Sequence, residues 1–269
     1  MIDQYHPIDL YAFYRPGTDL TAFAAAGITG LVIDWEAKNK NLRQAGFNTE
    51  INLHSASDLT AACAQDALPV LCRINGPNLY SQEEVDIAAS SGAKEIILPM
   101  VRSAEQVEAA LDAIAGRCQL AIMIETTDAV ENAHLLSHLP ISRVYVGLND
   151  LCIDRGSHNL FEPLIDGTLE HLREEFRIPL GYAGLTHADS GSPIPCHLLI
   201  YKMASLGCNF TFLRRSFYHD LKHYSAEQIT GSITDYLKGM DRLSERQHQT
   251  LSDELIHFVQ NRELVGRFS

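Results

Sequence analysis

Leu120-Ala121-Ile122-Met123-Ile124-Glu125 and Val144-Tyr145-Val146-Gly147-Leu148-Asn149-Asp150, with the segment between them, decide the fold. Each is a short apolar run that stops at polar residues, the pattern of a strand buried on both faces in a parallel sheet. Between them, Thr127-Asp128-Ala129-Val130-Glu131-Asn132-Ala133-His134-Leu135-Leu136 has helical spacing. Strand, helix and strand at this separation form one βαβ unit, so Glu125 and Asp150 fall at the same end of neighbouring strands. Adjacent strands lie roughly 4.8 Å apart. Two oxygens on one divalent ion, each at about 2.1 Å, lie roughly 3 to 4 Å from one another, so both side chains can converge on one Mg²⁺ or Mn²⁺. The spacing equally allows two helix caps facing water, and both readings stay open at this point.

Outward from this unit the alternation repeats. Apolar runs at Ile8–Tyr14, Gly30–Trp35, Pro69–Ile74, Glu95–Met100, Leu120–Glu125, Arg143–Gly147, Pro179–Ala183 and Asn209–Leu213 read as eight strands. Ser81-Gln82-Glu83-Glu84 and Ser103-Ala104-Glu105-Gln106 have the form of capping boxes that open helices. Gly27, Gly92, Gly116 and Gly207 stand where left-handed caps close them. Eight such units in this length predict an α/β fold, a (β/α)₈ TIM barrel with extra helix at the C-terminus. The rival is an open doubly wound sheet, which the absence of a G-x-G-x-x-G after any strand disfavours.

At 269 residues and 46% hydrophobic composition, the chain suits one large domain spanning 1–269. Residues 225–269 form its C-terminal helices, with apolar stripes at Ile229, Ile233, Tyr236, Leu237, Met240 and Leu243 and at Leu251, Leu255, Phe258 and Val259. No basic start leads into an apolar run, and no stretch of about 18 apolar residues occurs, so the expectation is a cytoplasmic protein without a membrane span. A net charge of −13 argues against nucleic acid and acidic lipid as partners. A small anionic substrate would need positive charge supplied locally. The six scattered cysteines, Cys63, Cys72, Cys118, Cys152, Cys196 and Cys208, read as buried small apolar residues rather than nucleophiles.

In a barrel the carboxyl ends of the strands carry the chemistry. Those ends give Asp34 and Glu36 after the second strand, Arg73 and Asn75 at the third, Glu125 at the fifth and Asp150 at the sixth. Thr186 and His187 follow the seventh, and Arg214 and Arg215 the eighth. Acids gather on three strands and arginines on two others, which suits a cation and an oxyanionic substrate held together. The bland alternative pairs Asp34 or Glu36 with Lys38, Lys40 or Arg43, and Arg215 with Asp220. The Gly/Pro/Ser-rich segment 184–195 reads as a lid or specificity loop.

Gly30-Leu31-Val32-Ile33-Asp34-Trp35-Glu36, Leu71-Cys72-Arg73-Ile74-Asn75, Ile97-Leu98-Pro99-Met100-Val101, Met123-Ile124-Glu125-Thr126 and Gly147-Leu148-Asn149-Asp150-Leu151 together resemble the strand-end motifs of the HpcH/HpaI aldolase and citrate lyase family, in order, over residues 28 to 215. That resemblance implies a phosphoenolpyruvate/pyruvate-type barrel that uses Mg²⁺, Mn²⁺ or Co²⁺ to cleave carbon–carbon bonds through a pyruvate or acyl-CoA enolate. It makes Glu125 and Asp150 metal ligands, Arg73 the contact to the keto or enolate oxygen, and the amides of Asn149 and Asp150 the grip on the substrate carboxylate. It also implies a homo-oligomer in which neighbours exchange the last helix. Apart from the resemblance, Arg214-Arg215-Ser216 follows the eighth strand, where barrels frequently hold phosphate. Arg214 or Arg215 can therefore either reach a second carboxylate or phosphate on the substrate or form a structural ion pair.

The departures matter. Aldolases of the family carry Asp-x-Glu-His after the second strand, and the CoA-ester lyases Asp-Leu-Glu-Asp. Here the stretch is Asp34-Trp35-Glu36-Ala37, and Lys38, Lys40 and Arg43 lean toward the lyases. Met123 stands where aldolases tend to have Gln. The proton carrier is therefore open among Glu36, whose pKa the neighbouring Trp35 could raise, His187 and His54. A barrel without catalysis that binds a small anion is the alternative from another class.

Overall fold

The computed structural model describes residues 7–37, 54–213 and 215–260. All eight expected strands form: β1 Asp9–Phe13, β2 Gly30–Asp34, β3 Val70–Arg73, β4 Glu95–Leu98, β5 Gln119–Ile124, β6 Arg143–Val146, β7 Leu180–Tyr182 and β8 Phe210–Leu213. They are parallel and ordered β7-β6-β5-β4-β3-β2-β1-β8. A parallel bridge between Gly184 and Phe212, with the Asn209 amide donating to the Leu180 carbonyl at 3.3 Å, brings the two ends of the row together. This is the (β/α)₈ barrel, its helices outside and its strand carboxyl ends at one rim.

The barrel is filled rather than hollow. Tyr11, Phe13, Val32, Leu71, Ile97, Ala121, Met123, Tyr145, Phe210 and Phe212 point inward and pack as one cluster. Tyr145 stacks on Phe212 with ring centroids 4.1 Å apart, and Phe13 meets Phe212 edge-on at 5.8 Å. These are geometries that favour aromatic pairs. Room for Tyr11 comes from Gly30, its register partner on β2. A Cβ there would stand 2.4 Å from the Tyr11 ring, so even alanine would push the ring out of the core. The second, larger core lies between strands and helices, where Ile33, Cys72, Ile96, Ile122 and Val144 are fully buried.

Local signals mostly hold. Gly27, Gly92, Gly116 and Gly207 all take positive φ where their helices end. Ser81 forms its capping box with Glu84, each side chain accepting from the other's amide at 3.2 Å. The box expected at Ser103 does not form. Its hydroxyl turns to the Glu105 carboxylate, and Gln106 instead accepts from the Arg102 amide at 2.8 Å, one residue earlier. The helix between β5 and β6 breaks into Thr127–Glu131 and Ala133–Ser137 at Asn132, whose side chain donates to the Arg102 carbonyl at 2.9 Å.

The C-terminal helices, Ala226–Met240 and Glu245–Gln260, lay Ile229, Ile233, Leu237, Met240, Leu255 and Val259 against their own barrel. Backbone ties add to this: Ser232 accepts from the Ala188 amide at 3.0 Å, and the Val259 carbonyl accepts from Asn159 at 3.0 Å. No helix among the described residues is long and apolar enough to cross a membrane.

Candidate active site at the strand carboxyl ends

Register builds the centre of the site. Asp34 and Arg73 are paired positions on β2 and β3, both at the last residue of the strand. Their side chains therefore meet inside the rim: Arg73 Nε and Nη2 donate to the two oxygens of Asp34 at 2.8 and 2.6 Å. Asp34 is 0% exposed and Arg73 4%. This bidentate pair is the strong form of an ion pair and fixes the guanidinium plane. Lys38, Lys40 and Arg43, the alternative partners of Asp34 and Glu36, lie outside the described residues. The remaining Nη1 faces Glu36 Oε2 at 3.4 Å and the Met123 sulfur at 3.7 Å, and the Phe13 ring lies 5.7 Å from Cζ.

Glu36 is held from both sides. Its own amide donates to Asp34 Oδ1 at 3.2 Å, and the amide of Ala37 donates to Asn75 Oδ1 at 3.1 Å. Asn75, 3% exposed, passes the restraint on: its Nδ2 donates to Glu84 Oε1 at 2.6 Å. Glu84, the capping residue of Gln82–Ser90, thereby connects a helix start to the site.

Glu125 ends β5 and is 1% exposed. Its Oε1 accepts from the Met100 amide at 2.8 Å, and Met100 takes a left-handed φ of 55° to present it. Left-handed backbone at a non-glycine residue is uncommon and costs energy, which the surrounding structure must supply. Gly147, at the end of β6, lies directly over Glu125: a Cβ there would sit 2.3 Å from Oε2 and 2.9 Å from the Glu125 Cβ. Glycine is thus required for close approach. Burial pushes the Glu125 carboxyl up to about 8, with the charges of Asp150 and Glu36 adding to it and Arg73 and the Met100 amide opposing it. Asp150, 8% exposed, lies in the first turn of Leu148–Asp154. Neither acid is a cap facing water. Beside Asp150, the Asn149 Nδ2 is buried with no hydrogen-bond partner.

Other candidates are placed differently. His54 is not a free proton carrier, because its Nδ1 accepts from the Asp34 amide and its Nε2 then donates to the Tyr14 carbonyl, both at 2.8 Å. Burial lowers its pKa, against the charges of Asp34 and Asp58 and with that of Arg73. His187 stacks on Tyr224 with centroids 4.2 Å apart, and Thr186 donates to Asp220 at 2.7 Å. The loop carrying them is stapled rather than loose, with Leu185, Ala188 and Ile194 buried and the Cys196 amide donating to the Ser190 carbonyl at 2.8 Å. Arg215 is exposed at the start of Arg215–Asp220, and Arg214 lies outside the described residues. Cys196 and Cys152 are buried with thiols pushed up, Cys196 to about 12, so neither is a ready thiolate. Asn75, already singled out at the third strand end, holds the site together with Glu84 and Met100, which had not been. Only the Ser81 capping box hinted at Glu84, and nothing in the residue order signals the left-handed turn at Met100.

The described residues contain no group of three His, Cys, Asp or Glu side chains arranged to hold a metal. Arg73 pairs with Asp34 and Glu36 and feels the charge of Glu125, beside which Asp150 lies. A family model described as HpcH/HpaI aldolase/citrate lyase matches residues 21–162, more than half of the chain. Comparison with curated proteins by sequence finds no match. Among solved structures, an HpcH/HpaI aldolase from Desulfitobacterium hafniense DCB-2 aligns with TM-score 0.61 at 14% identity, over 89% of this chain and 95% of that one. RipC from Yersinia pestis aligns with TM-score 0.56 at 15% identity, over 87% and 96%. Citrate synthase SbnG aligns with TM-score 0.56 at 18% identity, over 87% and 95%. At these identities the structures speak to fold. The family match, which spans the strand ends carrying Asp34, Arg73, Glu125 and Asp150, means that the chain belongs to the HpcH/HpaI aldolase/citrate lyase family.

Proposed function

We propose that this protein is a divalent-metal-dependent carbon–carbon lyase of the aldolase type, acting on a 2-keto or 3-hydroxy acid through a pyruvate-like enolate. The observation that carries this reading is the buried Glu125, which lies beside the charges of Asp150 and Glu36. Glu125, pushed up to about 8, marks a place that favours a proton or a cation. Two carboxylates from adjacent strand ends fit an ion such as Mg²⁺, which takes one or two protein carboxylates and fills its other positions with water or substrate oxygens. Mn²⁺ or Co²⁺ would suit the same donors. Bound there, the ion would supply Lewis-acid polarisation of the keto group.

The protein's own groups supply the rest. Asn149 Nδ2, a buried donor without a protein acceptor, and the amides of Asn149 and Asp150 receive the substrate carboxylate. Asp34 acts through Arg73, holding the guanidinium so that Nη1 meets the oxygen on which negative charge grows. Glu36 takes the proton from the hydroxyl of the bond that breaks; that bond's electron pair moves into the keto-acid half as its enolate, and the aldehyde leaves. Glu36 is the carrier because Ala37 has no titratable side chain and both His54 nitrogens are committed. The aldolase and citrate synthase among the structural neighbours both work on carbon–carbon bonds, which supports the reaction class.

The test is exchange of pyruvate methyl protons in D₂O, followed by NMR with Mg²⁺ or Mn²⁺ and then with EDTA. Metal-dependent exchange is the expected result. Absent exchange with tight binding of acetyl-CoA would move the protein to the CoA-ester lyase branch. Absence of both, with Glu125→Ala changing nothing, would make it an anion-binding barrel.

A further inference from the structure

We propose that His134 and His138, on the helical shell between β5 and β6, chelate a borderline transition cation such as Zn²⁺, Ni²⁺ or Cu²⁺, at a site separate from the acids of the strand ends. The two residues stand four apart on Ala133–Ser137 and its C-cap, so their side chains share one helix face. Their ring centroids lie 4.8 Å apart. Imidazole nitrogen binds Zn²⁺ at about 2.0–2.1 Å, which puts each ring centroid about 3.2 Å from the ion. Two such rings at coordination angles of roughly 90° to 110° have centroids about 4.5 to 5.2 Å apart, and the observed pair falls inside that span. A second pair with the same sequence spacing, His219 and His223, has centroids 5.9 Å apart and falls outside it.

Hydrogen bonds decide which nitrogen each ring offers. His134 Nδ1 lies 2.9 Å from Oε2 of Glu175, the last residue of the helix Thr168–Glu175. His138 Nδ1 lies 2.9 Å from the His134 carbonyl oxygen and 3.2 Å from Ser137 Oγ, whose own proton goes to the same carbonyl. A carboxylate and a carbonyl only accept, so both Nδ1 atoms carry hydrogen and the lone pair of each neutral ring sits on Nε2. The His134 side chain is 70% exposed, so an ion in solution reaches it. Histidines that ligate metals are held in just this way: the other ring N–H goes to a carboxylate or carbonyl, which fixes tautomer and orientation and raises basicity. Imidazole suits Zn²⁺, Ni²⁺ and Cu²⁺, whereas carboxylate suits Mg²⁺, so this pair and the strand-end acids sort cations by donor. The pair supplies two protein donors, one fewer than the three-residue group that the described residues lack, and water completes the shell. Through Glu175 the bound ion braces two neighbouring helices of the shell.

Titration calorimetry with Ni²⁺ tests the site, on the wild type and on Glu125→Gln, so that the two metal proposals are read separately. Both proteins bind one Ni²⁺ per chain at the histidine pair. His134→Ala and His138→Ala each weaken that binding at least about tenfold, since losing a ligand costs no less than losing its support. Glu175→Ala, which removes the support alone, weakens it about tenfold. Electron paramagnetic resonance of the Cu²⁺ form shows coupling to two imidazole rings in the wild type and to one in either histidine variant. Both histidines are exposed, so their replacement leaves the core intact. Wild-type protein that binds no Ni²⁺, or a His134→Ala, His138→Ala double variant that binds it as tightly, overturns the proposal. Pyruvate exchange does not enter, so failure of the enolate reading leaves this site to be decided by the titration.

Discussion

The two ends of the barrel both bury a glutamate beside an arginine, and they do it in different company. At the amino end of the strands, Glu95 is 1% exposed and lies 2.7 Å from Arg143, an ion pair without hydrogen-bond alignment. Ser142 donates to the other Glu95 oxygen. The Arg143 guanidinium lies 4.9 Å from the centre of the Tyr11 ring and 5.1 Å from that of Phe210, so aromatic faces close the plug. At the carboxyl end, Arg73 pairs with Asp34 and Glu36, and Glu125 lies buried beside the charge of Asp150. The first end is a paired plug that serves stability; at the second, like charges crowd the buried Glu125, which a ligand or a proton relieves. A buried ion pair is therefore no guide to function by itself, whereas buried like charges brought together are.

The largest expected effect comes from removing a carboxylate at the carboxyl end. Glu125→Gln lowers metal-dependent pyruvate exchange at least about a hundredfold, since a proposed metal donor is lost. The same variant, metal-free, unfolds at a higher temperature than the wild type because a buried like-charge contact is gone. A lower unfolding temperature would break the contrast between the ends. At the amino end the sign reverses: Glu95→Gln leaves Arg143 without its partner and costs about 3 kcal/mol in chemical denaturation. Replacing both, as Glu95→Leu with Arg143→Met, should recover most of that loss, and failure to do so would mean the plug does more than balance charge.

A smaller effect lies between the strands and the helices. Asn75→Ala frees the Ala37 amide and takes one hydrogen bond from Glu84, so kcat falls about tenfold with KM little changed, the cost of losing two hydrogen bonds behind Glu36. Equal loss in kcat and KM would place Asn75 in binding rather than in positioning.

The smallest effect is the pH response of His54. Its folded-state pKa is lowered from the ordinary 6.5, chiefly by burial, so the unfolded chain binds a proton more readily. Its contribution to stability is complete above 6.5 and is lost as pH falls from there through the lowered value. His54→Gln should flatten the fall in Tm between about pH 7 and 5. An unchanged slope would show that acid sensitivity arises elsewhere.

Much of this was legible before any coordinates. The apolar runs ending in Asp34, Arg73, Glu125 and Asp150 place the strands and, with the barrel's parallel order, the rim on which those residues lie. What the residue order hid was partnership. Asp34 could have paired with a nearby lysine, and only the β2–β3 register puts Arg73 across from it. His54, twenty residues on, looked available until its two nitrogens met the Asp34 amide and the Tyr14 carbonyl. Ser103 had the right neighbours for a capping box, yet Gln106 found the Arg102 amide instead.

By itself, the amino-acid order determined the alternation of strands and helices, the count of eight, the family motifs and which acids stand at strand ends, because apolar periodicity and glycine punctuation are local. The tertiary structure alone decided that Gly147 opens space for Glu125, that Met100 turns left-handed to hold it and that His134 meets Glu175. Those contacts join residues far apart in the chain, and their energy depends on distances that no local pattern encodes.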